Sequence, residues 1–292
     1  MSDPTLTPPS PAAPARRPLS MSLGVIMQFI VVPMTIVAIL VGFFVLGGVL
    51  FGGGDDAEDH LNRIRAGKGR ESWQAAYELS VLLAKDEALR NDTALAEKVA
   101  KAFRDAAGRD VQLRRYLALA LGQMGNEVST PVLVDALNDD DPETRGYAVW
   151  ALGASRDTSV VSHLLPLLDE DDPGLRKLTA YALGHLGVPR SIDKLKPLLH
   201  DPVDDVRWNA ALALAQLGDA SGAPVLREML DRERLQGVNG LSDAQRQEAM
   251  INAMKALVLL RDAESRPVVE RLSREDPDLK VRETAMKVLE QW

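Results

Sequence analysis

A three-residue motif recurs every 31 positions between residues 111 and 230 and constrains the fold more than any other feature of the chain. Ala120-Leu121-Gly122 returns as Ala151-Leu152-Gly153, as Ala182-Leu183-Gly184 and, with one change, as Ala213-Leu214-Ala215. A fixed period of about 20 to 50 residues is typical of stacked repeat arrays. Such arrays usually act as binding surfaces, so the period indicates a kind of function without naming a partner.

Each 31-residue unit is predicted to contain two helices. Asp141 can cap a helix N-terminus, and Pro142 follows at the first helical position, where its missing N–H costs nothing. Asp172 and Pro173 repeat this arrangement one period later. The other helix carries an apolar i,i+4 stripe in register with the period. Its leucine pairs are Leu133 and Leu137, Leu164 and Leu168, Leu195 and Leu199, and Leu226 and Leu230.

An arginine follows most of the capping aspartates by four residues. The pairs are Asp110 and Arg114, Asp141 and Arg145, Asp172 and Arg176, and Asp278 and Arg282. A cation in the first turn of a helix opposes the helix macrodipole. Its recurrence therefore indicates that the arginine is paired with an anionic group. We expect a carboxylate of the neighbouring repeat to be that partner. A basic row that binds a ligand is the alternative.

These segments resemble a known repeat family. The segments DPETRGYAVWALG (141–153) and DPGLRKLTAYALG (172–184) resemble HEAT repeats, most closely the short bacterial type also seen in phycobilin lyases. The resemblance covers residues 71–292 and implies an all-α solenoid whose second helices line a concave surface. An insertion at 234–247 breaks the period and is predicted to be a loop with a helix restarting after Ser242. Contact with a ligand and a tolerated insertion are both compatible with this loop.

The N-terminal region differs in composition from the repeats. Residues 1–21 form a tail rich in proline, serine and alanine that is predicted to be disordered. Residues 22–52 are almost wholly apolar and predict a transmembrane anchor, since about 20 apolar residues span a bilayer. Residues 53–70 combine glycines with acidic side chains and predict a flexible tether. The fold class expected is therefore an all-α solenoid of HEAT-like two-helix repeats, preceded by one transmembrane helix.

Basic residues on the two sides of the apolar run favour opposite orientations of the predicted anchor in the membrane. Arg16 and Arg17 lie closest to it and favour a cytoplasmic N-terminus, whereas the count of basic residues favours the C-terminal side. We adopt the first, so the expected localisation is a single-pass membrane protein with its solenoid on the exported, periplasmic side.

Charge and composition exclude several functions. Of the net charge of −8, residues 1–54 contribute +1 through Asp3, Arg16 and Arg17, which leaves −9 on residues 55–292. A solenoid that binds nucleic acid needs a basic stripe, so nucleic acid is not an expected partner. The chain has no cysteine, so disulfides, thiolate metal sites and cysteine nucleophiles are excluded.

Aromatic residues make up only 4% of the chain, and nearly all tyrosines and tryptophans share one side of the second helix. We number each second helix from the recurrent arginine at position 0, a place taken by Ser72 in the unit that contains Trp73 and Tyr77. The rings then fall at positions +1, +2 and +5, away from the alanines and leucines of the core side. The predicted groove residues are these rings with two neighbouring basic side chains: Trp73, Tyr77, Arg115, Tyr116, Tyr147, Trp150, Lys177, Tyr181 and Trp208. Tyrosine and tryptophan dominate interface hot spots, so one interpretation is a groove that binds a peptide or helix of a partner protein. The other is that the rings pack between adjacent second helices.

No catalytic motif stands out in the sequence. The four histidines occupy unrelated repeat positions, and no HExxH, P-loop or nucleophile elbow occurs. We therefore expect no enzyme, cofactor or metal, and predict a membrane-anchored scaffold or assembly factor that binds a protein partner. A phycobilin-lyase-like activity in the same groove and a structural envelope protein that self-associates are the alternatives.

Overall fold

The computed structural model describes residues 57–292, and all regular structure within that range is helical. The helices are α1 (Ala57–Ala66), α2 (Arg70–Lys85), α3 (Glu87–Arg90), α4 (Thr93–Asp105), α5 (Val111–Met124), α6 (Ser129–Ala136), α7 (Pro142–Ala154), α8 (Val161–Leu164), α9 (Pro173–Leu186), α10 (Ile192–Leu195), α11 (Asp204–Gln216), α12 (Ala223–Glu228), α13 (Arg232–Gln236), α14 (Asp243–Leu259), α15 (Arg266–Glu275) and α16 (Leu279–Leu289). Five 3₁₀ turns lie at Thr158–Val160, Leu165–Asp169, Pro189–Ser191, Lys196–His200 and Ala220–Gly222.

The helices form two layers. The inner helices are the second helices of the repeats, and each packs against the next in chain order: α2, α5, α7, α9, α11, α14 and α16. The outer helices pack on the other side of this layer: α4, α6, α8, α10, α12 and α15. This arrangement confirms an all-α solenoid of two-helix repeats within the described range. Outer helices α8 and α10 run into 3₁₀ turns that contain Pro166 and Pro197, whose missing N–H groups prevent a longer α-helix.

The predicted leucine stripe forms the contact between the layers. The first leucine of each pair is completely buried, at Leu133, Leu164, Leu195 and Leu226. Burial of one such side chain contributes about 1.5–3 kcal/mol, so the stripe is a main source of stability for each repeat.

The capping aspartates and the arginines act largely as the sequence predicts. Asp141 accepts a hydrogen bond from the backbone N–H of Thr144 and caps α7. Arg176 pairs with Asp201 in the loop before the next inner helix, with nitrogen–oxygen distances of 2.8 and 3.1 Å. Arg114 makes the equivalent pair with Asp139. Arg145 and Arg282 depart from the prediction. The buried Nε of Arg145 has no hydrogen-bond partner within residues 57–292, and Arg282 donates to the backbone carbonyl of Asp276 instead of to a carboxylate.

The Ala-Leu-Gly motif sets the spacing of the inner helices. A Cβ atom added at Gly122 would lie 2.6 Å from the Cβ of Ala151 in the next repeat. The corresponding distance from Gly153 to the Ala182 Cβ is 2.7 Å, and Gly184 meets Ala213 in the same way. Each glycine therefore receives the alanine of the following motif, and this contact requires the 31-residue period.

The expected tether at 53–70 differs from the structure over much of its length. Residues Ala57–Ala66 form α1, which packs against α2. Ala57, His60, Leu61 and Ile64 share its buried face, so a short apolar stripe lies within a sequence rich in charge. Arg63 donates to Glu78 of α2 at 2.7 Å and supports this packing.

The expected localisation in a membrane is wrong for the part of the chain that can be described. Among residues 57–292, no helix is both long enough and apolar enough to cross a bilayer. The longest, α14, has 17 residues and spans about 26 Å at 1.5 Å per residue, against a hydrocarbon core of about 30 Å. The expected tail at 1–21 and the apolar run at 22–52 lie outside the described residues.

Candidate functional site

The predicted groove residues all lie on the inner helices, but they differ in exposure. Tyr77 on α2 and Tyr181 on α9 are 53% and 42% exposed. Trp208 on α11 is only 8% exposed and belongs to the core. The remaining members are half-buried: Trp73, Arg115, Tyr116, Tyr147, Trp150 and Lys177. The rings therefore divide between the two interpretations that the sequence left open.

Two ring contacts organise the exposed tyrosines. Tyr77 meets Tyr116 of the next inner helix edge to face, with ring centroids 6.0 Å apart. Tyr181 stacks on His185, one turn further along α9, with centroids 6.1 Å apart. Aromatic pairs of this kind hold their rings in place, so less side-chain freedom is lost when a partner binds.

The two basic side chains of the predicted groove bind carboxylates of the solenoid itself. Arg115 donates two hydrogen bonds of 3.0 Å to Asp141, the cap of the next inner helix. These hydrogen bonds are the main cause of the lowered pKa of Asp141, which falls to about 2. Lys177 contacts Asp205 of α11 at 3.2 Å. The polar contacts expected from Arg115 and Lys177 are thus already made to the next repeat.

Three connected depressions run along the inner helices. The first, of about 530 Å³, lies between α7 and α9 and is lined by Tyr147, Trp150 and Leu178. Trp150 and Leu178 also line the second, of about 370 Å³, which extends to Tyr181 and α11. Tyr181 continues into the third, of about 480 Å³, which ends at Leu259. Because neighbouring depressions share side chains, they form one surface, which we call the inner face.

The insertion at 234–247 contributes to the inner face. Ser242 and Gln245 form a capping box that starts α14, as the sequence predicts for a restarted helix. Leu241 and Gln245 line the second depression, opposite Trp150 and Trp208. The insertion therefore forms one wall of the candidate site.

Several residues of the inner face were missed by sequence reasoning. Leu119, Leu178 and Leu212 line the depressions and occupy positions +5, +2 and +5 of their helices. The same positions carry tyrosines in other repeats, so the 31-residue register could have identified these leucines as part of the same surface. These leucines are neither aromatic nor basic, the two residue classes from which the groove was predicted. Leu259 of α14 is 61% exposed and lies beyond positions +1, +2 and +5 of its helix.

Within residues 57–292, no group of three or more histidine, aspartate or glutamate side chains is placed to hold a metal ion.

Comparisons with known proteins support the repeat assignment. A family described as HEAT repeats matches residues 97–181 and 161–240. The chain is similar to a structure of the complex of CpcE and CpcF of phycocyanin lyase from Nostoc sp. PCC7120, with 22% identity, 80% of this chain and 86% of that chain covered, and a TM-score of 0.57. A designed armadillo repeat protein gives 18% identity, 81% and 99% coverage, and a TM-score of 0.41. No curated protein matches the sequence.

Proposed function

We propose that this chain is a scaffold that binds a segment of another protein along its inner face. The match of a family described as HEAT repeats to residues 97–181 and 161–240 supports this function. The observation that carries the proposal is that large apolar side chains lining the inner face are left exposed. Tyr181 and Leu259 both line its third depression and are 42% and 61% exposed. Contiguous exposed apolar surface with rigid aromatic side chains is typical of protein interaction sites.

The shape of the inner face supports a peptide or a helix as the bound segment. The three depressions follow one another across α7, α9, α11 and α14, so their common occupant has to be elongated. Solenoids use such surfaces to bind extended ligands. The structural neighbour supports a protein partner as well, since it is a complex of two proteins, CpcE and CpcF.

The proposal assigns no catalytic reaction to the chain. A lyase-like activity is the alternative drawn from the sequence, and the similarity to the phycocyanin lyase structure supports it only through the shared fold, since the identity is 22%.

Quantitative affinity purification of the full chain from its own cells tests this function. The inner-face variant combines Tyr181→Ala with Leu259→Ala, which both line the third depression. The control is Leu279→Ala, because that leucine is 59% exposed at the start of α16. We expect one or a few proteins to be lost about tenfold or more from the inner-face variant and retained by the control. Equal recovery from both variants would contradict the proposal, and recovery of this chain alone would indicate self-association.

A further inference from the structure

Three inner helices use position +1 to bind the start of the next inner helix. In each case a side-chain N–H donates to a carboxylate in or beside the first turn of that helix. The pairs are Trp73 with Asp110 (2.8 and 3.0 Å), Arg115 with Asp141 (3.0 and 3.0 Å) and Lys177 with Asp205 (3.2 Å). The same donor position thus recurs on α2, α5 and α9.

Helix α7 lacks this donor because its position +1 is Gly146. The carboxylate that the donor would reach is Asp172, the cap of α9. Asp172 accepts a hydrogen bond of 2.8 Å from the backbone N–H of Gly174. Within residues 57–292, no side chain donates to it. One repeat junction therefore has the acceptor without the donor.

The first depression occupies the space that the missing side chain leaves. Gly146, Gly174 and Asp172 line it together with Tyr147, Trp150 and Leu178. A Cβ atom at Gly146 would meet only the flexible end of Leu178, at 3.1 Å. The result is a depression of about 530 Å³ with apolar and aromatic walls and a carboxylate at its edge.

We propose that this depression receives an arginine side chain from the partner protein. The proposal rests on the function proposed above and names one subsite of the inner face. A guanidinium can bind a carboxylate through two parallel hydrogen bonds, as Arg115 does with Asp141 one repeat earlier. Its apolar stem can lie along Leu178, and Trp150 lines the same depression, where an aromatic ring can attract the cation. The net charge of −9 on residues 55–292 favours a basic segment over an acidic one.

Titration of the full chain with short peptides tests this subsite. The probe is the tripeptide acetyl-Gly-Arg-Gly-amide, and the matched control replaces arginine by citrulline, which has the same shape without the charge. The readout is the NMR signal of the Trp150 indole N–H, assigned among the four tryptophans with Trp150→Phe. We expect a saturable shift with the arginine peptide and about tenfold weaker binding of the citrulline peptide.

Two variants complete the test. Asp172→Asn keeps the helix cap and should weaken binding of the arginine peptide about tenfold. Gly146→Arg should fill the depression from within and abolish binding without loss of thermal stability. If Gly146→Arg does not fold, the comparison between Asp172→Asn and the wild type decides. The proposal is overturned if the arginine peptide gives no shift or binds no more tightly than the citrulline peptide. It is also overturned if Asp172→Asn leaves the affinity for the arginine peptide unchanged, or if a tryptophan peptide binds more tightly. If one of these outcomes occurs but the inner-face variant still loses its protein partners, only the arginine subsite is contradicted. The scaffold function is then retained.

Discussion

Arg115 of α5 donates two hydrogen bonds of 3.0 Å to Asp141, the residue that caps α7 in the next repeat. These hydrogen bonds are the main cause of the low pKa of Asp141, about 2. The negative charge at the N-terminus of α7 is also favoured by the helix macrodipole. A single ion pair therefore joins two repeats and stabilises the beginning of an inner helix.

The pH dependence of stability follows from this pair. The pKa of Asp141 falls from its ordinary value of 3.8 to about 2 on folding, so its contribution is present above pH 4 and is lost as the pH falls toward 2. Asp141→Asn preserves the cap and removes the charge. We expect the wild type to be more stable by about 2 kcal/mol at pH 7, a difference that shrinks below about pH 4. Denaturant unfolding from pH 7 downward measures it, and a difference that stays constant with pH would contradict the assignment.

Two glycines of α7 should respond oppositely to alanine. Gly153→Ala places a Cβ 2.7 Å from that of Ala182 and forces two inner helices apart, so we expect a loss of about 1–3 kcal/mol. Gly146→Ala meets only the end of Leu178 and gains helix propensity, so its stability should rise by up to about 1 kcal/mol. Thermal unfolding of both variants checks the pair. Equal losses would show that helix spacing does not depend on the Ala-Leu-Gly motif.

Truncation of single rings should separate core from surface. Trp208→Ala removes a side chain that is 8% exposed, and we expect a loss of about 3–5 kcal/mol. Tyr181→Ala removes one that is 42% exposed, and the expected loss is below about 1 kcal/mol. Chemical denaturation of the two variants gives both values. A large loss from Tyr181→Ala would make the ring part of the core rather than of a binding surface.

The arginines at position 0 should matter more than surface ion pairs. Asp201 has a side chain only 7% exposed, so Arg176→Ala leaves a nearly buried carboxylate without its partner and should cost about 3 kcal/mol. Lys101 and Asp105 are 69% and 59% exposed, and Lys101→Ala serves as the control with an expected loss below about 0.5 kcal/mol. Equal losses would contradict the claim that the arginines at position 0 stabilise the contact between repeats.

The periodic part of the fold could be predicted from the sequence because each repeat uses the same contacts. The caps at Asp141 and Asp172, the buried leucines and the Arg176 pair all follow from residue types at fixed spacing. The resemblance to HEAT repeats is confirmed over residues 97–240. Helix α1 was missed because its charged residues hide a stripe of only four buried positions.

The candidate site was less predictable because it depends on contacts between repeats. The predicted residues at positions +1, +2 and +5 all lie on the inner helices. Whether a ring there is exposed, as Tyr181 is, or buried, as Trp208 is, depends on the helix that follows. The first depression lies over Gly146, which has no side chain and is therefore not marked by an aromatic or basic residue in the sequence.

Photo-crosslinking in cells tests the central claim, that the inner face binds another protein, most directly. A photoreactive amino acid replaces Tyr181, which is 42% exposed on the inner face, or Asp135, which is exposed on outer helix α6, as the control. We expect a discrete adduct with a different protein from position 181 and none from position 135. No adduct from position 181 in a folded protein, or the same adducts from both positions, would contradict it.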